Sequence, residues 1–217
     1  FNVELELSCG ELDVARGNSA SWEIVAIHDP EEPPAIEGSP SSLSVSQSGS
    51  SDLFVLGQQA RNEWTVELPV SAAISMATTL NAAEAMIDLE TGPVSTVSAT
   101  FNASDGSIDL GSASTPVPAQ LDVTLNASSG RVSLPAGSVT GSLTLNASSL
   151  ELCIPASAQT RIELESTLAS DNLGSADLIK RNDGWQTDGY DTAAIRIDLS
   201  ITSTVSSVDV ERPEACS

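Results

Sequence analysis

The sequence predicts an all-β fold: a right-handed parallel β-helix, or β-solenoid, with rungs of about 20–24 residues, an asparagine ladder and irregular capping loops. Three observations predict it. Short runs such as Leu121-Asp122-Val123-Thr124-Leu125 and Val97-Ser98-Ala99-Thr100-Phe101 alternate apolar and polar residues with period two, the signature of a strand with one face inward. One phrase recurs four times, beginning at Leu80-Asn81, Phe101-Asn102, Leu125-Asn126 and Leu145-Asn146 and ending in Ile87-Asp88-Leu89, Ile108-Asp109-Leu110, Val132-Ser133-Leu134 and Leu152-Cys153-Ile154. No ten-residue window shows helical periodicity, so helix content should be very low.

The four asparagines are 21, 24 and 20 residues apart, and each unit reads as strand, turn, strand, loop. Two short strands cannot bury an apolar face alone, so neighbouring units must stack at about 4.8 Å. Asn81, Asn102, Asn126 and Asn146 then fall at the corners of successive rungs. There an amide can bond backbone left open by the bend, and stacked amides can bond one another. Gly106 and Gly130 are expected to supply the unusual backbone angles of the corner.

The remaining elements follow in order. Leu5-Glu6-Leu7-Ser8-Cys9-Gly10-Glu11-Leu12-Asp13-Val14 repeats the phrase and suggests a first rung at residues 3–14, with Gly10 aligned to Gly106 and Gly130. Strands are expected at Trp22 to Ile27, Ser41 to Gln47, Asp52 to Val55 and Trp64 to Leu68, interrupted by a Pro/Glu segment from Asp29 to Pro40. Arg161 to Leu164 and Ile195 to Ile201 read as closing rungs around an irregular loop, Asp171 to Asp191. The expected organisation is one domain, 1–217, with a first rung and irregular part at 1–69, regular repeats at 70–165, and closing rungs and tail at 166–217.

Composition excludes several function classes. Among 217 residues, 30 Asp and Glu stand against 8 Lys and Arg, a formal charge of −22, and Lys180 is the only lysine. Such a chain repels phosphate backbones and anionic headgroups, so neither nucleic acid nor a membrane surface is an expected partner. No apolar run approaches the length of a membrane-spanning helix, and no basic segment followed by an apolar one opens the sequence. Any signal or anchor is therefore expected outside this chain, and the charge serves solubility on outward rung positions.

Candidate chemistry is sparse. His28, the single histidine, ends a strand in Ile27-His28-Asp29-Pro30; without a nucleophile elbow it reads as a solvated strand-end residue. The repeat alignment puts Asp88 and Asp109 in one outward column, joined in phase by Asp13 and Asp198 and continued by Ser133 and Cys153. Two stacked carboxylates suit an acid/base pair of a carbohydrate-active enzyme or weak calcium binding, and apart from calcium no metal or cofactor is expected. The second calcium candidate is Asp183, Asp188 and Asp191, although their loop lacks EF-hand spacing. In that loop Trp185 and Tyr190 read as a cap over the open coil end, or as a binding tip. Cys9, Cys153 and Cys216 fit no metal spacing; a Cys153–Cys216 disulfide is the preferred pairing, with three unpaired thiols as the alternative. Asn102, Asn126 and Asn146 lie in Asn-Ala-Ser sequons, but Asn81 holds the same phase without one, which favours the ladder.

Leu5-Glu6-Leu7-Ser8-Cys9-Gly10-Glu11-Leu12-Asp13-Val14, the strand Asn62-Glu63-Trp64-Thr65-Val66-Glu67-Leu68-Pro69, the glycine-bearing rungs and the late Asn182-Asp183-Gly184-Trp185-Gln186-Thr187-Asp188-Gly189-Tyr190 stretch resemble, in this order, bacterial toast-rack domains. The resemblance covers most of the chain. It implies an adhesin-like β-solenoid of a cell-envelope protein, outside a membrane anchor and related to envelope-stress sensing, with no catalytic residue to carry over. The cysteines and the Pro/Glu segment depart from the pattern. The expected function is thus a non-enzymatic extracellular or cell-surface module, structural or adhesin-like, with a protein or cell-surface glycan as partner. The alternatives are a carbohydrate-active β-helix enzyme and a self-associating subunit of a surface filament, the latter because open solenoid ends expose strand edges.

Overall fold

A computed structural model of the chain describes residues 1–47, 62–111, 113, 119–181 and 184–212. The strand expected at Asp52 to Val55 lies outside them. In chain order the strands are β1 (Asn2–Leu7), β2 (Gly10–Gly17), β3 (Glu23–Ile27), β4 (Ala35–Ser39), β5 (Ser42–Ser46), β6 (Glu63–Pro69), β7 (Ile74–Asn81), β8 (Ala83–Asp88), β9 (Val94–Asn102) and β10 (Asp105–Asp109). There follow β11 (Ala119–Asn126), β12 (Ser129–Ser133), β13 (Val139–Asn146), β14 (Ser149–Cys153), β15 (Gln159–Thr167), β16 (Ser170–Asp171), β17 (Ile179–Arg181), β18 (Gly184–Gln186), β19 (Arg196–Thr204) and β20 (Ser207–Glu211). The only helical segments among the described residues are 3-10 turns at Leu173–Ser175 and Tyr190–Thr192.

Period-two alternation decides which side chains are buried. In β11, Leu121, Val123 and Leu125 point inward and are buried, while Gln120 and Asp122 are exposed. Because parallel strands stack in register, the inward residues form columns. Leu7, Leu80, Phe101, Leu125 and Leu145 make one, and Val66, Val14, Ile87, Ile108, Val132, Leu152 and Val210 another on the opposite sheet. Both columns belong to a single hydrophobic core. Each fully buried Val, Leu, Ile or Phe contributes about 1.5–3 kcal/mol.

Among the described residues the two sheets have 11 and nine strands, paired in parallel through their centres. The order of rungs in space differs from their order in the chain. The 11-stranded sheet runs β17-β18-β15-β19-β13-β11-β9-β7-β1-β5-β4, and the nine-stranded sheet β16-β20-β14-β12-β10-β8-β2-β6-β3. The rung β1–β2 therefore lies between β5–β6 and β7–β8, and β19–β20 lies between β13–β14 and β15–β16. The first and last rungs are each set one place in from the end of the stack. Antiparallel strands finish the ends: β4 on β5, β3 on β6, and the β17–β18 hairpin on β15.

The corners correct the glycine expectation. Left-handed backbone is supplied by the residue after each corner Asn: Ala82, Ala103, Ala127 and Ala147 have φ of 53°, 49°, 51° and 51°. Gly106 and Gly130 lack positive φ and serve packing instead. A Cβ on Gly106 would lie 2.7 Å from the Phe101 ring, and one on Gly130 2.9 Å from Leu125 Cδ1. Left-handed backbone strains an L-residue by about 1–2 kcal/mol, part of which glycine would forfeit through a floppier unfolded chain. Ala127→Gly is accordingly expected to stabilise the fold by about 0.5 kcal/mol, measured as a rise in thermal midpoint, whereas Ala127→Val should lower it.

The phrase alignment at the N-terminus is also corrected. Gly10 pairs with Ala83, and Leu12 pairs with Ala85, which in turn pairs with Gly106. Gly10 thus stands two residues earlier than the sequence alignment placed it. The first corner is built from Ser8, Cys9 and Gly10 rather than an Asn-Ala-Ser unit.

Candidate functional site

Each regular corner carries two rows of side-chain hydrogen bonds. On the outside, Asn102 Nδ2 donates to Asn81 Oδ1 at 2.9 Å, Asn126 Nδ2 to Asn102 Oδ1 at 2.8 Å, and Asn146 Nδ2 to Asn126 Oδ1 at 2.8 Å. Thr204 occupies the next position in register. On the inside is a row that sequence reasoning missed. Ser104, Ser128, Ser148 and Ser206 are buried, and their hydroxyls accept from the backbone N–H groups of Ala83, Ser104, Ser128 and Ser148 at 3.1, 3.1, 3.2 and 3.1 Å. Each also donates to the carbonyl two residues before it, as Ser128 Oγ does to Asn126 O at 2.9 Å. The signal was the serine of Asn-Ala-Ser itself, read as half of a sequon. Ser128→Ala leaves a buried N–H without an acceptor and is expected to cost about 2 kcal/mol by urea unfolding. Asn126→Ala, where water can replace the half-buried amide, should cost under about 1 kcal/mol.

The nine-stranded sheet gathers carboxylates on its outer face. Glu63, Glu11, Glu84 and Asp105 occupy four adjacent strands in register, followed by Ser129, whose Oγ donates to Asp105 Oδ1. Two residues along, Asp13, Met86, Ser107, Arg131, Glu151 and Asp209 form a second column, in which Arg131 pairs with Glu151 at 2.7 Å. Asp88 and Asp109 are aligned, and their column continues through Ser133, Cys153 and Glu211. Asp13 is not in it, because of the two-residue shift at Gly10. Asp198 is on the other sheet, opposite Thr140 and Arg161.

Asp88 and Asp109 are both engaged by their own loops: Glu90 N–H donates to Asp88 Oδ1 at 3.0 Å, and Gly111 N–H to Asp109 Oδ1 at 2.8 Å. Asp109, with lesser contributions from burial and Asp88, holds the Glu90 carboxyl above its ordinary pKa. Sequence reasoning missed Glu90 because it lies in the loop beyond the repeat. Asp188 and Asp191 are exposed around the second 3-10 turn, and Asp183 lies outside the described residues. Among the described residues no group of three or more His, Cys, Asp or Glu side chains is arranged to hold a metal ion.

The other singled-out residues have defined surroundings. His28 is half-buried just past β3, and its Nδ1–H donates to the Asp29 carbonyl at 2.7 Å. Cys9 is an exposed free thiol, whereas Cys153 is disulfide-bonded, which removes the reading of three unpaired cysteines. Cys216 lies outside the described residues. Trp185 packs half-buried against the core, and Tyr190 is buried. The Tyr190 hydroxyl donates to Asp198 Oδ1, and Arg161 pairs with the same carboxylate at 2.9 Å. Burial, then the hydrogen bond and charge of Asp198, push the Tyr190 phenol up to about 12. The guanidiniums of Arg161 and Arg196 lie 5.2 and 5.7 Å from its ring centroid.

The outer faces are broad and polar. On the 11-stranded sheet, Thr79, Thr100, Thr124, Thr144 and Thr202 stand in register across five strands. A shallow groove of about 700 Å³ crosses this face, bordered by Asn2, Glu4, Glu37, Ser44 and Thr96. On the other sheet an open groove of about 490 Å³ is bordered by Asp105, Arg131, Glu151 and Asp209. No helix among the described residues is long and apolar enough to cross a membrane.

No curated protein matches the chain in sequence. Among solved structures, one described as a "putative cell adhesion protein" from Clostridium sporogenes ATCC 15579 is similar in fold, with a TM-score of 0.67 at 15% identity over 98% of this chain and 92% of that one. Another, described as a "putative adhesin" from Bacteroides fragilis NCTC 9343, has a TM-score of 0.45 at 8% identity over 95% of this chain and 91% of that one. Residues 1–123, more than half of the 217, match the family model of the N-terminal domain of toast_rack, DUF2154, and the chain belongs to that family.

Proposed function

We propose that the chain is a non-enzymatic, adhesin-like module at the cell surface or outside the cell, meeting a protein or a cell-surface glycan with its outer faces. The observation that carries this reading is the pair of faces themselves. Successive rungs repeat short polar side chains in register, as in the threonine column, and the grooves between them are open. Contact spread over many rungs suits such a surface, whereas ligand and catalytic sites are typically enclosed and mostly apolar. The Clostridium structure lends its name as an analogy of fold. A part in envelope sensing, and a signal or anchor beyond these residues, rest on the toast-rack resemblance alone. The right-handed winding, the asparagine column as a corner brace rather than a glycan acceptor, and a Cys153–Cys216 bridge belong to the same proposal. Intact mass and peptide mapping before and after reduction test the bridge, and a free Cys216 thiol overturns it.

The function is tested with beads carrying the chain, washed over immobilised polysaccharides and extracellular proteins. Retention on at least one surface is expected. It should fall by at least about tenfold either when Thr100, Thr124 and Thr144 are replaced by arginine or when Glu84 and Asp105 are. Retention on no surface, or retention untouched by both variants, overturns the reading. Release of reducing ends from pectin-like or alginate-like polymers, abolished by Asp109→Ala, would establish the enzyme instead.

A further inference from the structure

The two ends of the stack differ in charge and share exposed apolar residues. Residues 18–47, which build β3, β4 and their connections at one end, contain Glu23, Asp29, Glu31, Glu32 and Glu37 and no Lys or Arg. At the other end the edge strand β17 carries Lys180 and Arg181 and no acid. That end also holds acidic residues, so the positive charge is local to its edge. Of the large apolar residues left exposed, Val25, Ile27 and Ile36 lie on the first end, and Ile179 and the corner residue Leu168 on the second. Within the middle four rungs, β7 to β14, Met86 is the only one among the described residues.

Among the described residues β4 and β17 are the two edges of the same 11-stranded sheet, and every residue of both is exposed. Their phases match. Ile36 pairs with the buried Val45 and is on the core side of β4, which turns Glu37 outward beside Ser44. Lys180 pairs with Trp185, which pairs with the buried Ile162; Lys180 is thus on the core side of its strand, and Ile179 and Arg181 are outward. The Lys180 ammonium sits 5.6 Å from the Trp185 ring centroid, so its charge is drawn back over the indole and its aliphatic stem flanks the edge.

We propose that these two edges are complementary docking faces for a second copy of the chain, β17 of one against β4 of the next. The parallel register that sets Ile36 against the Lys180 stem keeps the core side continuous and places Glu37 beside Arg181 on the outward face, because side chains alternate with period two. Pairing like edges brings acid towards acid or base towards base and offers no opposite-charge pair, so charge favours the head-to-tail arrangement. Such a contact is heterologous and does not close on itself, so it propagates into a row of copies sharing one sheet. The inference stands on the sheet edges and is independent of what the outer faces bind.

Sedimentation velocity of the chain carrying Cys9→Ser, in about 0.15 M salt where the Debye length is about 8 Å and the overall negative charge is largely screened, tests the proposal. The average mass should rise with protein concentration. Glu37→Arg alone and Arg181→Glu alone should each weaken association by at least about tenfold. A 1:1 mixture of the two reversed variants should assemble beyond dimers, since each restores an opposite-charge pair with the other. Exposed sites tolerate such changes with little effect on stability, and an unchanged thermal midpoint verifies folding. A monomer at every concentration, association unaffected by either reversal, or a mixture that stops at dimers overturns the proposal.

Discussion

Replacing Arg16 by methionine is expected to lower the free energy of unfolding by about 3–5 kcal/mol, because three charge-assisted hydrogen bonds are lost while the apolar stem is kept. Arg16 Nη1 donates to Pro69 O at 2.8 Å and Ala72 O at 3.1 Å, and Nη2 to Pro93 O at 2.6 Å. Backbone bonds already join these segments, Ala72 N–H to Pro69 O at 3.3 Å and Ile74 N–H to Pro93 O at 3.0 Å, and Arg16 adds a charged clamp across them. The chain leaves β6, passes the intervening β1–β2 rung and begins β7; Pro69 and Ala72 lie on that bypass, and Pro93 lies just before β9. Arg16 reaches from the bypassed rung and clamps both. Burial alone pulls its guanidinium pKa down to about 10, which fits a cation held by carbonyl dipoles rather than by a carboxylate. Arg16→Lys should recover less than half the loss, since a single ammonium cannot span the fork. Urea unfolding at constant m-value provides the measurement; a loss under about 1 kcal/mol would mean that water serves these carbonyls equally well.

Gly10→Ala should cost about 3 kcal/mol or more. Gly10 has φ of +134°, and a Cβ there would sit 2.1 Å from the Asn62 carbonyl oxygen. That oxygen cannot retreat freely: it accepts from Glu11 N–H at 2.8 Å, while Asn62 Nδ2 donates to Cys9 O at 3.0 Å. The corner of the β1–β2 rung is locked to its outer neighbour on both sides of the glycine. Loss of cooperative unfolding by circular dichroism, or a large fall in midpoint, is the expected result; a stability within 1 kcal/mol of the parent would contradict this close approach.

The parallel sheets were legible because the core repeats its spacing. Asparagines 21, 24 and 20 residues apart align their own strands, and the apolar columns follow from period two. The left-handed corners were not legible, since the residue there is alanine, which carries no turn signal of its own. Glycine drew attention in its place, yet Gly106 and Gly130 are small because Phe101 and Leu125 need the room. The buried serine row was visible as a recurring letter, but its role depends on a neighbouring rung contributing the N–H. The two-residue error at Gly10 arose because a Ser-Cys-Gly corner replaces Asn-Ala-Ser, and it carried Asp13 from its real place opposite Met86 into the Asp88 column. The spatial order of the rungs had no local signal at all, because it is a choice among long-range partners of similar chemistry.

The inset placement of the first and last rungs has a mechanical consequence. In a solenoid wound in simple succession, tension on the chain would peel the outermost rung, breaking hydrogen bonds along one edge at a time. Here a pull transmitted through β1 or β20 loads a strand that is hydrogen-bonded on both sides, β1 by β5 and β7, and β20 by β14 and β16. The strand must shear past two neighbours before it moves. A chain tethered at one end and strained at the other would therefore resist extension from its ends.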